Sequence, residues 1–111
     1  MTAYLVCTVR VDDPETYKLY TARTPALIAK HGGRFLVRGG PVETLEGTPF
    51  GDRLVVIEFP SAEAARALYE SVEYREAMVY RHKSAEATFL LAEGVPAEGG
   101  AEPADNVAKS G

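Results

Sequence analysis

A chain of 111 residues, 46% hydrophobic and 25% charged, has the size and composition of one soluble globular domain whose core is small enough to gain from a partner subunit. Its 12 Lys and Arg against 16 Asp and Glu leave a net charge of −4 with no long run of either sign, which repels phosphate backbones and offers no basic stripe to nucleic acid. Cys7 is the one cysteine, which excludes an intrachain disulfide or a Cys-x-x-Cys pair; no apolar run nears the roughly 20 residues that span a bilayer, and the expected setting is a reducing cytoplasm.

Ala3–Val11 reads as the first strand, with Leu5, Cys7 and Val9 alternating with Tyr4, Val6 and Thr8. Both sets are largely apolar, so both faces of this strand are expected to be covered. Asp13-Pro14-Glu15 starts a helix: Asp13 as cap, Pro14 at the first helical position, Glu15 near the positive end of the dipole. Tyr17, Tyr20, Thr24, Leu27, Ile28 and His31 then share one helical face, with Lys18, Arg23 and Lys30 mostly off it. Pro25 falls inside this pattern, where it removes an amide donor and crowds the preceding turn at a cost of about 3 kcal/mol. A kink or break near Thr24 is expected, and Gly32 supplies a left-handed cap.

Residues 34–46 read as the second strand. Phe35 and Val37 point one way, Leu36 and Arg38 the other, until Gly39-Gly40-Pro41 signals a bulge or bend. A turn over residues 47–52 makes a hairpin with the third strand, Arg53–Phe59, which places Val55, Ile57 and Phe59 on one face and Leu54, Val56 and Glu58 on the other. Pro60 ends it and Ser61 caps a second helix whose inner face is Ala65, Leu68, Tyr69 and Val72. A further cap at Ser71 bends or restarts that helix, and Tyr74, Ala77, Met78 and Arg81 continue the stripe. The fourth strand is read over residues 87–93. The domain is assigned to residues 1–95, and the Gly, Pro and Ala-rich residues 96–111 to a flexible C-terminal tail.

Strand, helix, strand, strand, helix, strand is the βαββαβ order of an α+β, ferredoxin-like fold: a four-stranded antiparallel sheet with two helices on one face. The other face is then bare. Because the first and third strands are apolar on both sides, a second copy of the sheet is the expected cover, giving a homodimer through the sheet face.

The chain resembles the bacterial family catalogued as domain of unknown function 1330, within the dimeric α+β barrel superfamily. The resemblance covers residues 3–95 and is carried by Val11-Asp12-Asp13-Pro14-Glu15 with Tyr17 and Tyr20, by Gly32-Gly33-Arg34-Phe35-Leu36-Val37-Arg38-Gly39-Gly40, by Glu58-Phe59-Pro60-Ser61, and by Tyr74-Arg75 leading to Arg81. It implies a homodimer whose sheets form a barrel, and no particular reaction. Relatives across that superfamily include cofactor-free monooxygenases, lactone isomerases, polyketide cyclases and haem-binding enzymes, so the fold decides little about chemistry.

Glu58 is the sharpest anomaly, a carboxylate on an apolar strand that is costly to bury without a partner. It reads as a general base or ligand anchor in a cleft between sheet and helix, or as a salt-bridge partner of Arg38 or Arg81. His31, at a helix end, reads as an acid or base or as a cap on a free carbonyl; His82 reads as a dipole complement. Arg38 and Arg81 are suited to holding a carboxylate or phosphate bidentately, or to pairing with Glu58. Tyr17, Tyr20 and Tyr74 would wall a planar or phenolic ligand, or simply pack the core.

No ligand set for a metal and no nucleophile elbow is recognisable, and no cofactor is implied. The glycine pairs lack the Gly-Lys-Ser/Thr ending of a phosphate loop. Three functions stay open: a module binding a small aromatic or acidic metabolite between sheet and helices; a cofactor-free monooxygenase, isomerase or cyclase using Glu58 or His31; and a structural dimer without a ligand. RNA binding is disfavoured by the acidic charge and the missing aromatic pattern on the strands, and metal carriage by the single cysteine.

Overall fold

Strand β1 (Ala3–Val11) is central, flanked by β3 (Arg53–Phe59) and β4 (Ala85–Glu93), with β2 (Arg34–Arg38) on the far side of β3; the order is β2-β3-β1-β4 and every pairing is antiparallel. The computed structural model describes residues 1–96, and the tail assigned to 96–111 lies outside the described residues apart from Pro96. All helices lie on one face, the ferredoxin-like arrangement expected from the element order. Each expected helix is two segments: α1 (Pro14–Thr21) and α2 (Thr24–Lys30), then α3 (Ala62–Glu70) and α4 (Val72–Ser84).

Local chemistry accounts for these breaks. The Asp13 carboxylate accepts from the Thr16 hydroxyl at 2.7 Å and from the Thr16 amide at 3.4 Å, bonds that hold its carboxyl below the usual range. Pro25 sits in the first turn of α2, where its missing donor costs nothing, so the expected break falls just before it. Gly32, at φ 81°, closes α2. Ser71 serves two helices at once, donating its hydroxyl to Leu68 O at 2.7 Å and accepting from the Tyr74 amide at 3.1 Å. Ser71→Ala is expected to cost about 1–2 kcal/mol, read as a lower midpoint in urea with an unchanged slope. The same break corrects the expected apolar stripe. Extended backbone at Ser71 resets the helical phase, so Val72 opens α4 at 70% exposure and Tyr69 remains 39% exposed, while Tyr74, Ala77 and Arg81 are buried.

Strand β2 departs most from its reading. It ends at Arg38, because Gly39 takes φ 75° after donating the last ladder bond to Leu54 O at 2.9 Å. Residues 39–52 then form an exposed excursion without regular structure, in place of a strand running to residue 46. Within β2 the pairing steps from Phe35↔Ile57 to Val37↔Val56, leaving Leu36 as an extra residue. That bulge reverses the expected alternation: Val37 joins Val56 on the outer face, and Arg38, opposite Val55, joins Phe35 on the helix side.

The core lies between helices and sheet. Leu5, Cys7 and Val9 of β1 and Val55, Ile57 and Phe59 of β3 meet Tyr17, Tyr20, Ile28, Leu68, Tyr74 and Ala77. Among the described residues no helix covers the outer face, where Tyr4, Val6, Leu54 and Val56 are half-buried and Leu90 is 57% exposed. Among the described residues no helix is long and apolar enough to cross a membrane.

Candidate functional site

The cap at Asp13 sets the phase of α1 and the cap at Ser71 that of α4, and the two helices bring Tyr17, Tyr20 and Tyr74 together above the sheet. The Tyr20 and Tyr74 hydroxyls stand 2.5 Å apart, buried. Ring centroids are 5.5 Å apart for Tyr17 and Tyr20 and 6.0 Å for Tyr20 and Tyr74, the latter edge to face.

Beneath these rings a cavity runs between helices and sheet, with Cys7, Val55 and Ile57 as floor and Phe35 and Phe89 as side walls. Counted out to its mouth, the empty space of this cleft, the slot, is about 470 Å³.

The slot holds no ready proton acceptor. Burial raises the Tyr17, Tyr20 and Tyr74 phenols and pushes the Cys7 thiol up to about 12. Among the described residues neither a carboxylate nor a histidine lines it. Cys7 is therefore expected to resist iodoacetamide at mildly alkaline pH in the native chain and to react once urea is added, read by mass spectrometry. Rapid native labelling would contradict the burial seen here.

Cations mark the site instead. Arg81 is buried, its guanidinium carbon 4.2 Å from the Phe89 ring centroid and 5.6 Å from that of Tyr20. Its Nε and Nη2 have no hydrogen-bond partner among the described residues. Desolvation is the largest influence on it and works against the charge, while the Tyr74 and Tyr20 oxygens attract the cation only once their raised phenols ionise, well above neutral pH; at neutral pH Arg81 is a cation held against ring faces. Arg38, turned inward by the bulge, stacks its guanidinium 4.4 Å from the Phe35 centroid and lines the slot. Arg53 lines the slot too, a residue the sequence reading passed over. Strand phase would have found it: Arg53 precedes Val55, Ile57 and Phe59 at intervals of two and so shares their buried face.

Three expected site residues do not line the slot: Arg81 lies behind the Tyr20 and Phe89 rings, and Glu58 and His31 lie farther off. Glu58 is on the outer face of β3, opposite Tyr4 and Arg34, and its Oε1 pairs with Arg34 Nε at 2.7 Å. Alternation from Ile57 forbids it the helix side, so it meets neither Arg38 nor Arg81 and is absent from the cleft expected for it. His31 caps α2, its Nδ1 3.0 Å from Leu27 O, and does not line the slot; His82 is exposed near the end of α4. Among the described residues no group of three or more His, Cys, Asp or Glu is placed to hold a metal ion.

A family model described as Domain of unknown function (DUF1330) matches residues 2–95. The RPA0582 protein of unknown function from Rhodopseudomonas palustris is similar in structure, with TM-score 0.71 and 19% identity over 86% of this chain and 83% of that one. SnoaB, a cofactor-independent oxygenase from Streptomyces nogalater, has TM-score 0.58 and 17% identity over 87% of this chain and 96% of that one. A dimeric protein of unknown function with a ferredoxin-like fold, from Bacteroides fragilis NCTC 9343, has TM-score 0.58 and 13% identity over 84% and 96%. At such identities the likeness is one of fold. No curated protein matches the chain.

Proposed function

The chain belongs to the DUF1330 family, and we propose that it works as a homodimer in which each subunit holds one small planar aromatic molecule in the slot beneath Tyr17, Tyr20 and Tyr74. The observation that carries this reading is the slot itself, floored by aliphatic side chains, walled by rings and reachable past Arg38. Tyrosines there supply flat apolar walls, and Arg38 a charged edge.

Dimerisation is supported by the uncovered outer face, where Val6, Val56 and Leu90 form an apolar strip across three strands, and by the dimeric Bacteroides fragilis neighbour. Light scattering at micromolar concentration is expected to return twice the chain mass; a monomer would overturn the dimer. For the ligand, a thermal-shift panel of small aromatic acids, amides and phenols is expected to raise the melting temperature, since a molecule bound to the native state stabilises by mass action. No shift across the panel would overturn the slot as a ligand site.

A cofactor-free enzyme is the second reading, favoured by one observation: a buried cation, Arg81, without an ion-pair partner among the described residues beside a cluster of phenols. Held behind the Tyr20 and Phe89 rings and outside the slot's lining, such a charge would favour an enolate or phenolate on a bound substrate through its field and not by contact. Glu58 and His31 have no part in this reading, because neither lines the slot, so the substrate would have to ionise without a protein carboxylate or imidazole. Turnover of an acidic phenol under oxygen, lost in Arg81→Met while binding persists, would favour the enzyme over the binding module.

A further inference from the structure

We infer that the slot is selective for carboxylates and that Arg53, with Arg38 beside it, is the fork that receives them; this rests on the slot being a ligand site. Arg53 opens β3 opposite Val9, on the helix side of the sheet, and Arg38 stands opposite Val55 on the same side. The two are diagonal neighbours on adjacent strands, about 7–8 Å apart at the backbone by ordinary sheet geometry. Both line the slot, and both also line the shallow outer depression that includes Lys18 and Thr21, so they stand where the slot meets solvent.

Three features make this a built site. Arg53 Nε is buried and without a hydrogen-bond partner among the described residues. The guanidinium lies against Gly39, whose φ is 75°; a Cβ there would collide with Arg53 Cζ and Nη1, so the backbone is shaped to admit the group. Finally, the ion pairs among the described residues use Arg10, Lys18, Lys30 and Arg34, and neither Arg38 nor Arg53. In a chain of net charge −4, two guanidinium groups on one cavity rim with no carboxylate of the described residues within ion-pair reach leave an unmet demand for an anion.

A planar carboxylate meets that demand best, because the guanidinium fork matches its two oxygens bidentately. The slot then takes the flat body of the same molecule. Tyr17 stands close enough to Arg53 for the cation to oppose the effect of burial on its phenol, which places a hydroxyl donor at the same edge.

The test is calorimetric titration of the full chain with benzoate and 4-hydroxybenzoate against benzamide and 4-hydroxybenzamide, which match them in shape and lack the charge. The acids are expected to bind about tenfold or more tightly than the amides. Arg53→Gln should bring acid affinity down to the amide level, leave amide binding as it was, and not lower the melting temperature of the free chain. Arg38→Gln, at an exposed position, should weaken acid binding by about threefold to tenfold while folding normally. Arg53→Lys keeps the charge but loses the fork, and should recover only part of the preference. Acids and amides binding alike, or Arg53→Gln keeping the preference while destabilising the free chain, would overturn the carboxylate fork and leave the slot standing. If neither acids nor amides bind, the slot and the fork fall together.

Discussion

Phe59→Ala is expected to remove about 3–5 kcal/mol of unfolding free energy, the largest loss from any single truncation proposed here. Phe59 ends β3 with no exposed surface, opposite Ala3 in register, and its ring is wedged beneath the turn that joins α2 to β2. A Cβ built at Gly33 would stand 2.7 Å from Phe59 Cε1 and 2.8 Å from Ile28 Cγ2, so the backbone already touches the ring and cannot collapse far into the space it leaves. Urea unfolding should show the midpoint falling at constant slope. A loss below about 1 kcal/mol would mean that neighbouring side chains refill the site. Gly33→Ala is the converse experiment, an overpacking that costs about 1–3 kcal/mol. Combined with Phe59→Leu it should cost less than the sum of the two, since the smaller side chain removes the clash.

Arg81→Met is expected to act the other way, raising stability by about 1–3 kcal/mol. Two guanidinium nitrogens of Arg81 are buried without partners, and the stacking on Phe89 and Tyr20 that offsets this is of the order of 1–2 kcal/mol. Methionine matches the arginine stem as far as Nε, can keep contact with a ring through its sulfur, and carries no charge to desolvate. A clear fall in the denaturation midpoint would show that the aromatic contacts outweigh the desolvation. Together with an unchanged or higher melting temperature in Arg53→Gln, a gain here would mark the cations around the slot as kept for a purpose other than folding.

Most of the fold was legible because its boundaries are chemical. Asp13 with Pro14, Ser61, Ser71 and Gly32 each act through a local bond or a local dihedral, and each stands where the residue type called for it. The proline break before α2 was legible for the same reason. Strand β2 was not, since nothing in Phe35-Leu36-Val37-Arg38 announces an extra residue; the bulge is fixed by pairing with β3, a long-range condition. The glycines after it were read as a bend within a strand, whereas Gly39 ends the ladder. The lining of the candidate slot was half legible. Of the residues that the sequence marks, Tyr17, Tyr20, Tyr74 and Arg38 line one slot, Arg81 lies behind two of its rings, and Glu58 and His31 lie apart from it. Glu58 drew attention by being charged among apolar neighbours, yet the alternation that placed Val55, Ile57 and Phe59 together already put it on the opposite face. Read one step further back, that alternation leads to Arg53.

The bulge at Leu36 also bears on how this chain should be compared with its relatives. One surplus residue separates two strand halves of opposite phase, so a relative without it would carry the counterpart of Arg38 one position earlier. Matched residue for residue, two such proteins would seem to differ at a charged site, although their cations occupied the same corner of the slot. Deleting Leu36 from this chain is expected to leave Phe35, Val37 and Arg38 opposite Ile57, Val56 and Val55 in an unbroken ladder, with Arg38 still on the slot side and one position nearer Phe35 in the chain.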